Sequence, residues 1–357
     1  MAAFFVIQAA QPTQPAQSQL PKPRVFRDRT MQLDLLDDHD LMARYRLPRH
    51  CLLELFDTLK PTLERPTNRN HALPVSTQVL AALRFFATGT MQKDAGDLHG
   101  ISQASVSRCI SNVSAAICSL ASEHIVFPRG SDAEKQTMAG FHDIAHFPSV
   151  LGCVDGTQIA IISPRQHENI YVCRKGYHSI NVQVICDADL KWLNVVAKWP
   201  GSSHDSYIFR TSSVLDHLER RQQQQQTGWL LGDSGYPLLT YLMTPVLRPA
   251  GTADERYNKA QRATRNTVER AIGVWKMRFR CLHKTGGCLQ SPPETCSKII
   301  MACAVLHNIC IDNRLPQEED SADDSDDDDM STQPSMQQSN GAKSRARLIQ
   351  QRFAREN

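Results

Sequence analysis

No CxxC pair occurs among the eleven cysteines of this 357-residue chain. Scattered thiols, odd in number, exclude a disulfide scaffold and point to reduced cysteines in a cytosolic or nuclear compartment. There is also no apolar run of membrane-spanning length, so no transmembrane helix and no membrane partner is expected. The N-terminal MAAFFVIQAA lacks a basic lead-in, and QPTQPAQSQLPKP follows it. Residues 1–33 therefore read as a disordered arm, not a signal peptide. Acids are scarce where a solvated helix would carry them. Between Arg256 and Arg280 stand eight bases and a single carboxylate, Glu269.

A hydrophobic content of 41% supports a sizeable core. The net charge of +3 hides an asymmetry, because residues 317–330, QEEDSADDSDDDDM, hold nine of the 37 acids and no base. Without them 40 bases face 28 acids. Such a basic body fits a polyanion partner, and the plainer reading is an acidic tail that aids solubility. Cys296, Cys303, His307 and Cys310 suggest zinc, but ligands strung along one helix cannot converge on a point by themselves. A buried helix face is the better reading.

Residues 34–130 show helical periodicity. Ser76 is a candidate cap for VSTQVLAALRFFATG. In MQKDAGDLHGISQASVSRCISNVSAAI a short helix ends at Gly100, and Ser102 caps the next, which displays Gln103, Ser105, Ser107, Arg108 and Ser111. That is a helix-turn-helix layout able to enter a major groove, or equally a plain helical hairpin. Residues 145–315 change character. VLGCVDGTQIAII reads as a strand and HSINVQVICDADLKWLNVVAKWP as a hairpin. SSHDSYIFRTSSVLDHL reads as one helix, WLLGDSGYP as a fourth strand, and RYNKAQRATRNTVERAIGVWKMRFRCL and ETCSKIIMACAVLHNIC as helices. Residues 316–357 form an acidic, Gln-rich low-complexity tail closing on a short basic helix.

Asp155 lies on the first strand and Asp233 ends the fourth, so parallel neighbours would bring both to adjacent strand tips. A helix beside the sheet could aim Glu269 at the same point. Clustered carboxylates repel and take up protons unless a cation joins them. Mg²⁺ or Mn²⁺ suits such a set of hard oxygens, and two ions about 3.5–4 Å apart can clamp both oxygens of a phosphodiester displacement. Lys259, Arg262, Arg265 and Arg270 around Glu269 fit phosphate contacts; a lone Arg265–Glu269 pair at four-residue spacing would need one arginine, not eight bases. Asp205, in GSSHDS, could cap a helix or join the metal edge, with His204 in a supporting hydrogen bond. His178 reads as a satisfied strand histidine.

VDGTQIAI, YVCRKGYHSINVQVICD, WPGSSHDS, LLGDSGYP, NTVERAIGVWKMRFRCL and VLHNIC occur in the order seen in PIF/Harbinger transposases. The chain resembles that family over residues 34 to 314, nearest to its domesticated vertebrate nuclease branch. The resemblance implies an α/β fold: an RNase H-like mixed-sheet catalytic domain after an N-terminal all-helical, helix-turn-helix domain. It implies a D-D-E metal set at Asp155, Asp233 and Glu269, with Asp205 as the additional acid. It also implies loss of transposition, a separate Myb-like DNA-binding partner protein, and residence in nucleus and cytoplasm.

The leading expectation is thus a nuclease that needs divalent metal and no small-molecule cofactor, hydrolysing DNA with Asp155, Asp205, Asp233 and Glu269 at the metal. Lys259, Arg262, Arg265, Arg270 and Arg108 would hold DNA. The alternative is a domesticated DNA-binding protein that no longer cleaves. A metal phosphatase for small phosphoesters is weaker, since the basic stripe exceeds what one phosphate needs.

Overall fold

SINVQVIC alternates apolar and polar side chains, a period-2 pattern that marks a strand with two distinct faces. In the computed structural model, which describes residues 32–65, 72–317 and 336–354, it lies second in a five-stranded sheet. The expected disordered arm and acidic run fall almost wholly outside the described residues.

Among the described residues eight helices come first: α1 (Gln32–Leu35), α2 (Asp38–Tyr45), α3 (Arg49–Leu63), α4 (Val75–Thr88), α5 (Gln92–His99), α6 (Gln103–Cys118), α7 (Ala121–His124) and α8 (Ser131–Ala145). Strands β1 (Val150–Ala160), β2 (Ser179–Cys186) and β3 (Trp192–Pro200) follow, then α9 (Asp205–Arg210) and α10 (Ser213–Gln223). The chain continues through β4 (Trp229–Leu231), β5 (Leu242–Met243), α11 (Thr252–Arg278), α12 (Pro293–Asp312) and α13 (Met336–Arg352). The strand order is β3-β2-β1-β4-β5. The first three strands pair antiparallel, whereas β1 with β4 and β4 with β5 are parallel. This bears out the mixed sheet and the hairpin.

Ile180, Val182, Val184 and Cys186 on one row of β2 join a large core with Val268, Val274 and Trp275 of α11 and Ile299 to Leu306 of α12. The N-terminal helices contribute Leu52, Leu83, Phe86 and Ile117 to that same core. Trp192 of β3 stands edge-on to Trp275 at 5.3 Å and beside His307 at 5.3 Å, pinning β3, α11 and α12 together. A smaller cluster, including Ile185, Phe209, Leu218 and Tyr236, fills the other face of the sheet.

The helix α5 closes at Gly100 in the left-handed region (φ 62), and the Ser102 hydroxyl caps α6 by accepting from the Ser105 N–H at 3.2 Å. Gln103, Ser107 and Arg108 are exposed on the first turns of α6, while Val106, Ile110, Val113 and Ile117 are buried. Helix α11 runs unbroken for 27 residues, with Asp254 and Glu255 in its first turn and Lys276 and Arg278 in its last, each complementing the helix dipole.

Several expectations are corrected. Ser76 lies inside α4, whose N-terminal residue is Val75 after Pro74, so it caps nothing. SSHDSYIFRTSSVLDHL is two helices, because Ser212 leaves the helical path and its hydroxyl accepts from the Val214 N–H to start α10. The fourth strand stops at Leu231, so Asp233 lies two residues beyond it. There the Gly232 carbonyl accepts from Gln261 Nε2 at 2.9 Å instead of extending the ladder. The chain does contain a helix long and apolar enough to span a membrane, α12, but it is enclosed by the core: Asn308 Nδ2 donates to the Trp192 carbonyl at 2.8 Å, and His307 Nε2 lies 2.9 Å from the Leu190 carbonyl. The buried-face reading of Cys296, Cys303, His307 and Cys310 holds: all four are buried, and both His307 ring nitrogens are engaged, Nδ1 3.3 Å from Arg278 Nη1 and Nε2 against the Leu190 carbonyl. The short basic helix expected at the end of the tail is present as α13, and it is packed against the rest of the chain. Leu348, Ile349 and Phe353 enter the core, and Arg345 donates to the Pro245 carbonyl at 2.7 Å.

Candidate active site

Asp155 sits mid-strand on β1, in register with Val184 of β2, so its side chain shares the face that packs under α11. Its Oδ1 accepts from the Gly156 N–H at 2.9 Å, and its Oδ2 receives Arg265 Nη1 at 3.4 Å. Burial pushes the Asp155 carboxyl up to about 7; Arg265 opposes this, and Asp233 and Asp205 reinforce it. Asp233 follows the parallel neighbour β4, and the turn after it forms as its Oδ1 accepts from the Gly235 N–H at 3.1 Å. That Asx-type bond explains the D-S-G sequence.

Asp205 arrives from the other side. It is the first residue of α9, His204 holds the cap position, and no side-chain cap is made. The capping alternative is therefore not what the carboxylate does. Its Oδ1 accepts from Asn181 Nδ2 at 2.7 Å. Burial raises its carboxyl, Asn181 lowers it, and Asp233 raises it again. A Cβ on Gly156 would lie 2.5 Å from Asp205 Oδ1, so only glycine lets the carboxylate approach the β1 backbone there. Gly156→Ala is expected to push Asp205 away and weaken Mn²⁺ binding about tenfold, a loss of about 1.4 kcal/mol, measured by titration calorimetry. An unchanged affinity would separate Asp205 from the site.

Arg265 departs from its expected place on a phosphate-gripping surface. It is largely buried and bridges two acids, pairing with Asp155 and with Glu269 four residues on. Burial disfavours its charge, yet Asp155, Glu269 and Asp233 outweigh that and raise its pKa. Glu269 is exposed. Among the described residues, the three metal-type ligands lying within 4.8 Å of one another are Asp37, His39 and Asp40, all exposed. Asp37 there serves as the N-cap of α2, accepting from the Asp40 N–H at 2.8 Å. The four acids at the sheet are more widely spaced, and the Arg265 guanidinium stands between Asp155 and Glu269.

The other bases divide. Lys259, Arg262 and Arg270 are exposed. Arg256 donates to the Phe353 carbonyl at 3.2 Å, and buried Arg278 donates to Pro316, so both hold structure together. Arg108 is exposed on α6, with its Nη2 on the Ser105 hydroxyl. His204 Nδ1 lies 3.3 Å from Arg174 Nη2, and His178 pairs with Glu168 at 3.0 Å.

Residues 154–308, which span all four acids, match the DDE superfamily endonuclease family. The mouse protein named "Putative nuclease HARBI1" is 41% identical over 282 residues, covering 79% of this chain and 80% of that one. This chain belongs to the Harbinger transposase-derived nuclease family. A frog relative, from Xenopus laevis, is 39% identical across 81% of this chain and 82% of its own length. The Arabidopsis thaliana "Protein ALP1-like" is 26% identical across 71% and 65% respectively. No solved structure matches the chain.

Three residues of this Harbinger-derived site escaped the sequence reading: Asn181, which holds Asp205; Gly156, which admits it; and Arg174, whose charge acts on it. Asn181 was the one with a local signal. Ser179, Asn181 and Gln183 form a polar row on a strand buried on both faces, and buried amides need partners. Tyr236 is a further case. Its hydroxyl is buried without a hydrogen-bond partner, and burial, then Asp205, Asp155 and Asp233, drive its pKa well above normal.

Proposed function

We propose that this protein is a divalent-metal-dependent nuclease that hydrolyses DNA phosphodiester bonds. The observation that carries this reading is that Asp155 on β1, Asp205 at the start of α9 and Asp233 after β4 act electrostatically on one another, with Asp205 pressed against Gly156, the residue after Asp155. Burying charge of one sign is costly, and hard carboxylate oxygens brought close together suit Mg²⁺ or Mn²⁺. The strand order β3-β2-β1-β4-β5, with three antiparallel strands and then parallel ones, supports an RNase H-like domain.

Asp155, Asp233 and Asp205 would hold the metal, and Glu269 would complete the set once Arg265 lets it go. A bound metal would supply Lewis-acid stabilisation of the negative charge that develops on the scissile phosphate. Asn181 keeps Asp205 in place. Lys259, Arg262 and Arg270 present exposed cations along α11 to the DNA backbone, and Arg108 on α6 offers another. The N-terminal helices, 34–130, would grip or read DNA beside the 145–315 catalytic domain, and a Myb-like partner would assist in the nucleus. The experiment is nicking of supercoiled plasmid by the full chain in Mn²⁺, Mg²⁺ or EDTA; nicking that persists in EDTA would end the metal reading.

One observation favours a second reading, a DNA-binding protein that no longer cuts. Arg265 already pairs with Asp155 and with Glu269, occupying oxygens that a metal would need. The two readings differ in Arg265→Met. For a working metal site, Mn²⁺ raises the Tm of wild type, and the variant, with a lower metal-free Tm, shows a larger rise. For a retired site, wild type gives no rise at all.

A further inference from the structure

The sheet edge beside Asp205 carries an aromatic and cationic rim: Trp199, Tyr207, Lys198 and Arg174. Trp199 on the edge strand β3 is in register with Asn181, the residue that holds Asp205. Tyr207, two residues after Asp205 on α9, packs edge-on against Trp199, with ring centroids 4.9 Å apart and an interplanar angle of 77°. Tyr207 is nevertheless 51% exposed. The Lys198 ammonium lies 5.3 Å from the Trp199 ring centroid, and Lys198 is exposed. Arg174 reaches His204 on the same side and acts electrostatically on Asp205.

We propose that this rim is a stacking platform for an unpaired DNA base beside the acids. The proposal rests on the nuclease reading for its substrate and goes beyond it by naming the substrate's form: a single-stranded or flapped strand, not an intact duplex. Three physical features support it. An aromatic ring fixed by a second ring is a rigid stacking surface that loses little entropy when a base lands on it. Lys198 beside the Trp199 ring and Arg174 beside His204 supply positive charge in the same region, suited to the phosphates of a strand crossing it. The platform lies one strand outward from Asn181, within about one nucleotide step of Asp205, since neighbouring strands stand about 4.8 Å apart. A paired base offers no free face, so the platform selects an unpaired one.

The test uses the full chain in EDTA, so that no cleavage contributes. Affinity is measured by fluorescence anisotropy for a blunt duplex and for the same duplex carrying a three-nucleotide single-stranded flap. Wild type is expected to prefer the flap about tenfold, an amount within the range for one stacked base. Tyr207→Ala abolishes the preference and leaves duplex affinity unchanged, whereas Tyr207→Phe, which keeps the ring, retains it. A 2-aminopurine in the flap is quenched by wild type and Tyr207→Phe but not by Tyr207→Ala. Equal affinities for flap and duplex in wild type, or a loss of both alike in Tyr207→Ala, would overturn the platform. The nuclease reading is scored separately, by nicking in Mn²⁺: absent nicking with the flap preference intact removes the nuclease and leaves the platform.

Discussion

Asp233→Ala is expected to reduce Mn²⁺-dependent plasmid nicking by about a thousandfold or more, equivalent to about 4 kcal/mol of transition-state stabilisation. Asp233 lies just past β4, beside Asp155 on the parallel neighbour β1, and its charge acts on Asp155, Asp205 and Arg265. Like Asp155, it has electrostatic ties to the other charged groups of the buried set. Removing it also loses the acceptor for the Gly235 N–H, so the turn itself loosens. Asp233→Asn controls for that, because its amide oxygen still accepts. A thousandfold loss in both variants locates the effect in the charge, and a loss in Asp233→Ala alone assigns Asp233 to the turn. Glu269→Gln should cost less, since Glu269 is exposed and held by Arg265. Nicking by Asp233→Ala at the wild-type rate would remove the acids from the chemistry.

The apparent affinity for Mn²⁺ should rise about a hundredfold from pH 5 to pH 8 and then flatten. A metal needs the Asp155 carboxylate, and the proton held there to about pH 7 must leave first, costing about a factor of ten for each pH unit below that value. The sign for stability is opposite. Without metal, folded Asp155 binds its proton more tightly than the unfolded chain does, so its contribution is most favourable below about pH 4. That contribution is lost as pH rises toward 7. Asp155→Asn should therefore be more heat-stable than wild type at pH 8 without metal, and insensitive to Mn²⁺. The comparison with wild type matters because Asp187, in the β2–β3 turn, is also pushed up to about 6 and adds its own slope far from the metal chemistry. Calorimetric titration across the pH range and thermal melts of both proteins check this. A wild-type affinity that does not change between pH 5 and pH 8 would show that Asp155 is not a ligand.

Much of the molecule was legible in residue order because it depends on local patterns. The two-residue alternation of SINVQVIC, the β-branched run of VLGCVDGTQIAII and the three- to four-residue rhythm of α11 and α12 each specify an element without reference to the rest. The ordered motifs around Asp155, Asp205, Asp233 and Glu269 marked the family, and the comparisons agree. Where boundaries were misread, a short polar side chain had competed with the helix, as at Ser212, or a carbonyl had turned to a distant amide, as at Gly232.

By itself, then, the sequence determined most of the segments that form strands and helices, the order in which the acids appear, and the excess of bases on α11. Tertiary structure alone decided how those groups meet. It turned Arg265 from a candidate phosphate contact into the partner of an aspartate 110 positions away. It pressed Asp205 onto Gly156, left Lys259, Arg262 and Arg270 in solvent while burying Arg278, and stood Tyr207 against Trp199. The physical reason is range. Periodicity is set by a residue's immediate neighbours, whereas charge pairing and burial depend on strand register and helix packing across the whole core, which no short window of residues contains.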